Sequence, residues 1–294
     1  MKKIALVTYQ KLPNLTDDDR LLLNHFQRHD ITPQAVIWDA RDVVWERFDA
    51  VILRSCWDYH LRHEEFANWI DALEKIGAPL WNLPRVVKWN MDKAYLKTLS
   101  SQGIAIASSV WVEKGAPANL KKILEAQGWK KAVVKPTISA TAYLTWTTTP
   151  ENAESNQAKL NELLNRSGAL IQKFVDEIQV EGEWSFIFFG GKYSHAVLKR
   201  PKNGDFRVQE EHGGFSEAKK PDQALIKQAQ KILESVAEPL LYARVDAVEV
   251  NGKLTLMELE LIEPVLFLSH HPLAPQRFAE AIIESIASPQ RSNE

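Results

Sequence analysis

The stretch YARVDAVEVNGKLTLMELELIEP, residues 242–264, decides how the rest of the chain is interpreted. Two runs that alternate apolar and polar residues flank Asn251-Gly252, which is the pattern of a β-hairpin with a tight turn. Side chains along a strand alternate between its two faces. One face of the hairpin is therefore apolar, and the other carries an arginine and three carboxylates: Arg244, Asp246, Glu258 and Glu260.

The register of the hairpin determines whether these charged residues lie together. A two-residue loop would set Asp246 opposite an odd-numbered residue, whereas a three-residue loop with a left-handed Gly252 aligns even-numbered residues with each other. We predict the three-residue loop. Carboxylates gathered on one face are costly unless they hold cations or a ligand, and oxygen-only ligands favour Mg²⁺ over zinc. The alternative is a solvated acidic face on an edge hairpin.

Length and composition describe an ordinary globular chain. The 294 residues allow two or three domains, and 45% hydrophobic and 25% charged residues are close to the average. The formal net charge of −2 gives no sign of a nucleic-acid or membrane surface. A single cysteine, Cys56 in an apolar run, excludes an internal disulfide and is expected to be buried. Without a signal peptide or an apolar run of about twenty residues, a cytoplasmic protein is predicted.

The order of the predicted elements indicates three successive lobes. Strand, helix, strand and helix over residues 1–85 predict a parallel α/β domain. Residues 86–175 predict an α+β lobe and residues 176–294 a third lobe that contains the acidic hairpin. Two of the predicted helices cover residues 20–29 and 90–102.

One loop of the first lobe is a candidate substrate contact. Ligands gather at the carboxyl ends of strands in parallel sheets, so we place four polar residues there: Arg54, Ser55, Asp58 and Tyr59. An ordinary loop with a capping aspartate explains them equally well.

Basic residues upstream of the hairpin supply the cations that a phosphate needs. Lys135 ends an apolar strand, Lys93 follows a helix start, and the loop KRPKNGDFR occupies residues 199–207. Singly, each is more often a surface residue, but with the acidic hairpin they fit a polyphosphate bound through Mg²⁺. The extended segment 172–175 is either a strand whose backbone hydrogen-bonds the edge of a purine or a plain interdomain strand. Oligosaccharide hydrolysis by two carboxylates would leave the lysines without a role.

Several motifs, in this order, resemble the ATP-grasp superfamily over nearly the whole chain. They are VVKP at 133–136, LIQKFV at 170–175, GEWSFIFF at 182–189, and RVD and ELE in the hairpin. More narrowly, LPNLTDDD, RSCWDY, WNMDKAYL and ELELIEP resemble the branch that contains the cycloserine-forming ligase and glutathione-synthetase-like proteins. The resemblance implies an α/β fold in which an N-terminal parallel α/β domain precedes two ATP-grasp lobes that clamp the nucleotide.

The resemblance also implies roles for individual residues. ATP would be bound by Lys93, Lys135, Gln172, Lys173, Phe174, Val175, Glu183 and Lys199. Two Mg²⁺ ions, or Mn²⁺ in their place, would be held by Asp246, Glu258 and Glu260. Charge on an acylphosphate would be stabilised by Arg244, and substrate or phosphate would be contacted by Arg200 and Arg207.

The activity implied is ATP-dependent ligation of a small amino-acid-like carboxylate to an amine-type nucleophile, with release of ADP. Ring closure within one molecule is a specific version. Self-association is left open, and no nucleic acid or membrane partner is expected. Two positions depart from the family pattern: Glu260 stands where many members have asparagine, and the phosphate-covering loop at Ser139–Ala142 lacks glycine. The alternatives are a small-molecule kinase and a nucleotide-binding protein with a degenerate site.

Overall fold

The computed structural model describes residues 1–27, 29–202, 204–209 and 212–287. Its strands form three sheets, each built from a different part of the chain. The first sheet contains β1 (Lys2–Thr8), β2 (Ile31–Ile37), β3 (Ala50–Leu53) and β4 (Leu80–Trp81), in the order β2-β1-β3-β4. All its pairs are parallel, which confirms the predicted α/β class of the amino-terminal region.

Three helices accompany the first sheet: α1 (Asp17–Arg20), α2 (Leu23–Phe26) and α3 (His63–Lys75). The prediction of one helix over residues 20–29 was wrong. The side chain of Thr16 accepts a hydrogen bond from the Asp19 N–H, so the first helical turn starts earlier than predicted. Cys56 is fully buried, as predicted.

The second sheet contains β5 (Ser109–Val112), β6 (Ala132–Pro136), β7 (Trp146–Thr148) and β8 (Ala169–Lys173) in the antiparallel order β5-β8-β6-β7. The same part of the chain contains four helices: α4 (Pro84–Met91), α5 (Tyr95–Ser101), α6 (Leu120–Gln127) and α7 (Ala153–Arg166). Helices α6 and α7 pack with this sheet.

The single helix predicted over residues 90–102 was also wrong. Pro84 lies in the first turn of α4, as the fixed φ of proline allows. The chain leaves that helix at Asp92, whose backbone is extended and whose carboxylate accepts the Ala94 N–H at 2.8 Å. Lys93 therefore lies in a break between two helices and not on a helix face.

The third sheet contains β9 (Glu183–Phe189), β10 (Lys192–Arg200), β11 (Phe215–Ala218), β12 (Tyr242–Val250) and β13 (Lys253–Glu260) in the order β11-β10-β9-β12-β13. The remaining helices are α8 (Glu177–Val180), α9 (Gln223–Glu234) and α10 (Ala274–Ala287). No helix in the described part of the chain is long and apolar enough to cross a membrane.

The two faces of the third sheet differ in chemistry. One face packs Phe186 and Phe188 of β9 against α9. On the other face, Ile187 and Phe189 pack with α10 and with the first sheet. Farther along that second face the cross-strand partners are polar: Glu183, Ser185, Lys199, Arg244 and Asp246. The apolar end joins the sheet to the amino-terminal region, and the polar end is left for a ligand.

The hairpin of β12 and β13 places even-numbered residues opposite each other, as predicted, but its loop is not the predicted one. Val250 pairs with Lys253, so the loop has two residues, and the three-residue prediction was wrong. Asn251 and Gly252 have φ values of 52° and 75°, as a type I′ turn requires.

Asp246 nevertheless pairs with Glu258, and Arg244 pairs with Glu260. The next residue, Ala247, pairs with Leu256, so Met257 is an extra residue that forms a β-bulge and restores the even register.

Candidate active site

A cavity of about 500 Å³ lies where residues of all three sheets and their loops come together. Of the residues predicted to bind ATP, Mg²⁺ or the acylphosphate and substrate carboxylate, all except Arg200 line it. The lining residues predicted from the sequence are Lys93, Lys135, Gln172, Lys173, Phe174, Val175, Glu183, Lys199, Arg207, Arg244, Asp246, Glu258 and Glu260.

Arg200 is not among the residues that line this cavity, and its predicted contact with substrate or phosphate stays a prediction. Consecutive residues of a strand point to opposite faces, so Lys199 and Arg200 cannot both face the cavity. Lys199 is buried on the cavity side, whereas the Arg200 guanidinium lies 3.3 Å from the carboxylate of Glu217. Arg207 lines the cavity and forms an ion pair with Asp205 at 2.8 Å.

The Asp246 carboxylate is the centre of the first charge cluster. It lies 3.0 Å from the Lys199 ammonium, accepts the Ser185 hydroxyl at 2.5 Å, and accepts Arg244 Nη2 at 2.8 Å. Burial alone would raise the pKa of Asp246, but Arg244 and Lys199 outweigh it and hold the pKa well below its usual range. Asp246 is therefore ionised in the folded protein.

Lys199 also lies 2.5 Å from Glu183. Burial lowers the pKa of Lys199, but Asp246 and Glu183 outweigh it and raise the pKa above its ordinary value. Lys199 is accordingly a permanent cation between two strands of the cavity wall.

The Glu258 carboxylate is the centre of a second cluster, which joins two sheets. Its Oε1 accepts Lys135 Nζ from β6 at 2.7 Å, and its Oε2 lies 3.9 Å from Lys93 Nζ. Burial opposes ionisation, but Lys135 and Lys93 lower the pKa of Glu258 to about 2. The Lys93 ammonium also donates to the carbonyl and hydroxyl oxygens of Ser139, at 2.7 and 3.1 Å.

Glu260 completes the acidic face and accepts a hydrogen bond from Arg244. Burial, reinforced by Asp246 and Glu258, raises the pKa of Glu260 to about 8 against the effect of Arg244. The three carboxylates thus share one face, but in the described residues no three acidic, histidine or cysteine side chains converge as a metal-ligand group. Lysine and arginine lie between them.

This donor set fits a hard cation. All three side chains offer oxygen, and Glu258 and Glu260 keep 30% and 29% of their side-chain surface open. A divalent cation would offset the repulsion from Asp246 and Glu258 that adds to the effect of burial on the pKa of Glu260.

Replacing Glu260 with glutamine is expected to stabilise the ligand-free protein at pH 8 by on the order of 1–3 kcal/mol. The folded-state pKa of about 8 exceeds the ordinary value of 4.5, so ionisation of Glu260 destabilises the fold as the pH rises between these values. Urea unfolding at pH 5 and pH 8 should show a gain that is small at pH 5. A gain independent of pH would contradict this, and Glu125→Gln on exposed α6 is the control.

The segment 172–175 borders an apolar end of the cavity. Phe174, Ile178, Val208 and Val248 form a buried cluster with Phe206 and Met257 against it. The backbone N–H groups of Lys173 and Phe174 donate to the carbonyls of Ser108 and Lys131, at 2.7 and 3.0 Å. Two of the amides predicted to face a purine are therefore engaged within the protein, and the apolar surface beside them is suited to a base.

The glycine-free loop takes conformations that usually need glycine. Thr141, Ala142 and Leu144 have φ values of 50°, 54° and 48°. Each such residue costs about 1 kcal/mol or more, so contacts must hold the loop in shape. Lys93 holds its start at Ser139, and the ring of Tyr143 lies 5.3 Å from that of His60 in the first lobe.

Sequence reasoning missed the residues that hold β13 in place. The Asn90 side chain donates to the Leu259 carbonyl at 2.8 Å and accepts the Leu261 N–H at 2.9 Å. The Tyr95 hydroxyl accepts the Leu259 N–H at 2.8 Å. Asn90 and Tyr95 flank Lys93 in the motif WNMDKAYL, which was the available signal.

Of the four polar residues in the candidate substrate loop of the first lobe, two face the cavity and two make structural contacts. Arg54 and Tyr59 line the cavity. Ser55 instead hydrogen-bonds the Thr8 hydroxyl at 2.9 Å, and Asp58 accepts the Trp38 indole N–H at 2.9 Å. These two have structural roles.

Comparison with known proteins identifies the family. Residues 4–82 match a family profile described as D-cycloserine synthetase DcsG, N-terminal domain. The cycloserine biosynthesis protein DcsG of Streptomyces lavendulae is 30% identical over 297 residues, covering 96% of this chain and 98% of that protein. The chain belongs to the DcsG family of ATP-grasp ligases. As a DcsG-family ligase, it makes carbon–nitrogen bonds and forms ADP.

Solved structures agree with this DcsG-family assignment. The crystal structure of D-cycloserine synthetase DcsG matches with a TM-score of 0.87 and 28% identity over 97% of this chain and 99% of that one. A D-alanine–D-alanine ligase from Bacillus anthracis complexed with ATP has a TM-score of 0.71 and 16% identity, covering 98% of each chain. The ATP-grasp ligase PsnB, complexed with a minimal precursor, Mg and ADP, has a TM-score of 0.63 and 13% identity. That match covers 97% of this chain and 98% of PsnB. The predicted ATP-grasp fold is confirmed.

Proposed function

We propose that this DcsG-family ligase uses ATP to activate a small amino-acid-like carboxylate and joins it to an amine-type nitrogen. The observation that carries the proposal is the pairing of opposite charges across one cavity. The acidic hairpin face, with Asp246, Glu258 and Glu260, meets Lys93 and Lys135 of the second lobe there. Such a site offers carboxylates to a metal and ammonium groups to phosphates.

ATP is the cosubstrate in this proposal. Its base would occupy the apolar end at Phe174, beside Gln172, Lys173 and Val175, and its ribose would meet Glu183. Its phosphates would meet Lys93, Lys135 and Lys199. The predicted lobes 86–175 and 176–294 would clamp it, and the predicted domain 1–85 would close the substrate end.

Asp246, Glu258 and Glu260 are the residues that would hold Mg²⁺, as two ions, with Mn²⁺ as a substitute. When bound, Mg²⁺ neutralises charge on the phosphates and on the transferred group. Lys135 and Lys199 now neutralise Glu258 and Asp246, respectively, so binding of the nucleotide would release both ammonium groups to phosphate oxygens.

The reaction proposed is a transfer in two steps. A substrate carboxylate oxygen attacks the γ-phosphorus of ATP, the bond to the bridging oxygen breaks, and ADP leaves. The nitrogen lone pair then attacks the acyl carbon, phosphate leaves, and the nitrogen loses a proton. Arg244, fixed by Asp246 and by the Val265 carbonyl at 3.0 Å, would stabilise charge on the acylphosphate. Arg207 would contact phosphate or substrate, and Arg200 has no role in this proposal.

Ring closure is a specific version of this reaction, because a relative is named D-cycloserine synthetase. The carboxylate and the attacking nitrogen would then belong to one molecule. A cytoplasmic location stays a prediction of the sequence, and self-association stays open.

Trapping with hydroxylamine tests the ligase proposal. The protein, ATP, Mg²⁺ and a panel of small amino acids would be mixed with hydroxylamine, and hydroxamate and ADP would be measured together. Hydroxamate equal in amount to ADP is expected for at least one carboxylate, because hydroxylamine attacks an acylphosphate directly. Release of ADP without hydroxamate would instead indicate a kinase. ATP binding without ADP release would indicate a degenerate site.

A further inference from the structure

The segment of residues 265–267, which follows the acidic hairpin, forms the wall of the cavity beside Arg244. Val265, Leu266 and Phe267 all line the cavity, and Arg244 Nη1 donates to the Val265 carbonyl at 3.0 Å. The guanidinium carbon of Arg244 lies 5.6 Å from the centre of the Phe267 ring, which is within cation–π range. The segment therefore contacts the guanidinium through a hydrogen bond and through an aromatic ring.

Phe267 has a backbone conformation that an aromatic residue seldom adopts. Its φ is 49°, in the left-handed region that is unfavourable for bulky side chains. Such a conformation persists only where surrounding contacts enforce it, and it is found most often at functional sites. The contacts that fix the backbone of Phe267 therefore also fix the ring beside Arg244.

His195 is a buried histidine of β10 that supplies these contacts. Its Nε2 lies 3.1 Å from the carbonyl oxygens of both Leu266 and Phe267, and its Nδ1 lies 3.0 Å from the Ser194 hydroxyl. Because carbonyl oxygens can only accept, the imidazole proton is assigned to Nε2, and Nδ1 accepts the Ser194 hydroxyl. Burial lowers the pKa of His195 to about 4, so the ring is neutral near pH 7 and keeps this arrangement.

The third sheet places His195 and Arg244 in one row. His195 pairs with Ile187 of β9, and Ile187 pairs with Arg244 of β12. Directly paired residues point to the same face of a sheet, so His195 and Arg244 lie on one face with Ile187 between them. Ser194 is an extra residue in β10, since Tyr193 pairs with the residue next to Ile187, and this bulge reverses the face on which the strand continues.

We infer that His195 is a positioning residue for acyl transfer, because it holds the 265–267 segment against the Arg244 guanidinium. This rests on the proposed ligase function and adds a residue to it. Two donors at the ends of one row, His195 and Arg244, bind three successive carbonyls of the segment. The residues that line the cavity include Arg244 and the whole segment but not His195, so His195 acts through the segment and not on a ligand.

The test compares His195→Gln with His195→Asn. The glutamine amide nitrogen reaches the place of Nε2 and can donate to the two carbonyls, whereas the asparagine amide reaches only the place of Nδ1. His195→Asn should lower kcat for hydroxamate formation by roughly 10- to 100-fold, because a small displacement of a charge-stabilising group has an effect of that size. His195→Gln should keep kcat within about threefold of wild type. Both rates are measured with saturating ATP and Mg²⁺ and with the amino acid that gives the highest wild-type rate.

The affinity for metal-free ADP distinguishes positioning of Arg244 from a general loss of structure. ADP lacks the phosphoryl group that is transferred beside Arg244, and Lys93 and Lys135 lie on elements that His195 does not contact. Calorimetry in EDTA should therefore give both variants the wild-type affinity to within about twofold. The control is Ile282→Val, which trims a fully buried side chain of α10 in the hydrophobic cluster that contains Phe267. It should lower the unfolding temperature and keep kcat.

Three results would overturn the inference alone: wild-type kcat in folded His195→Asn, equal losses of kcat in both amide variants, or a loss of ADP affinity parallel to the loss of kcat. If His195→Asn does not fold, Phe267→Ala decides, because it keeps His195 and removes the ring beside Arg244. Wild-type kcat in Phe267→Ala would then overturn the inference. Absence of hydroxamate from every amino acid with the wild-type protein would overturn the ligase proposal itself, and this inference with it.

Discussion

Asp246→Asn is expected to lower ATP-dependent ligation by roughly 10²- to 10³-fold. The substitution keeps the shape of the side chain and removes its charge. Asp246 is the acceptor that Lys199, Arg244 and Ser185 share, so the variant leaves two buried cations short of a counter-charge. It also removes a proposed Mg²⁺ ligand and loosens Arg244, the residue proposed to stabilise the acylphosphate.

The measurement is the hydroxamate rate with saturating ATP and Mg²⁺, at a temperature where the variant is folded. Breaking a buried ion pair destabilises a protein by about 3–5 kcal/mol, so thermal unfolding must be followed in parallel. Glu249→Gln makes the same chemical change three residues along β12, outside the cavity, and should keep wild-type activity. A folded Asp246→Asn protein with wild-type rate would remove Asp246 from the metal site.

The charged face of the hairpin could be predicted because strand alternation and the chemistry of carboxylates are local properties. The β-bulge that sets the register of the hairpin could not be predicted. Asn251 and Gly252 both accept left-handed backbone, which favours the two-residue turn, and a bulge at Met257 then corrects the register. Met257 carries no glycine-like signal, so only the pairing of the complete sheet reveals the bulge.

Other differences between the predicted and the observed site also have specific physical causes. The separation of Lys199 from Arg200 follows from strand alternation and was available from the sequence once Lys199 was placed in the cavity. The ion pair between Lys135 and Glu258 joins residues 123 positions apart, and no local pattern encodes it. Long motifs in a fixed order were enough to predict the fold. Contacts between residues far apart in the sequence, such as the Lys135–Glu258 ion pair, could be identified only from the structure.

Substitutions at the two partners of the Lys135–Glu258 ion pair are expected to shift the affinity for ADP in opposite directions. In the ligand-free protein, the Lys135 ammonium is held 2.7 Å from Glu258, so a phosphate must compete with that carboxylate. Lys135→Met removes the cation and should weaken ADP binding by roughly 10- to 100-fold. Glu258→Gln removes the competitor and should tighten metal-free ADP binding several-fold, although turnover with Mg²⁺ should fall.

Calorimetry with ADP in the presence of EDTA measures both effects without catalysis. The ion pair Lys121–Glu154, which is 2.8 Å long and exposed between α6 and α7, is the matched control. Neither Lys121→Met nor Glu154→Gln should change the affinity for ADP. The opposite signs are what distinguish a phosphate site from a structural salt bridge. If the pair only held the lobes together, removing either partner would leave the other unpaired and weaken the closed cavity in the same way. Two losses of similar size would therefore contradict the proposed position of the phosphates.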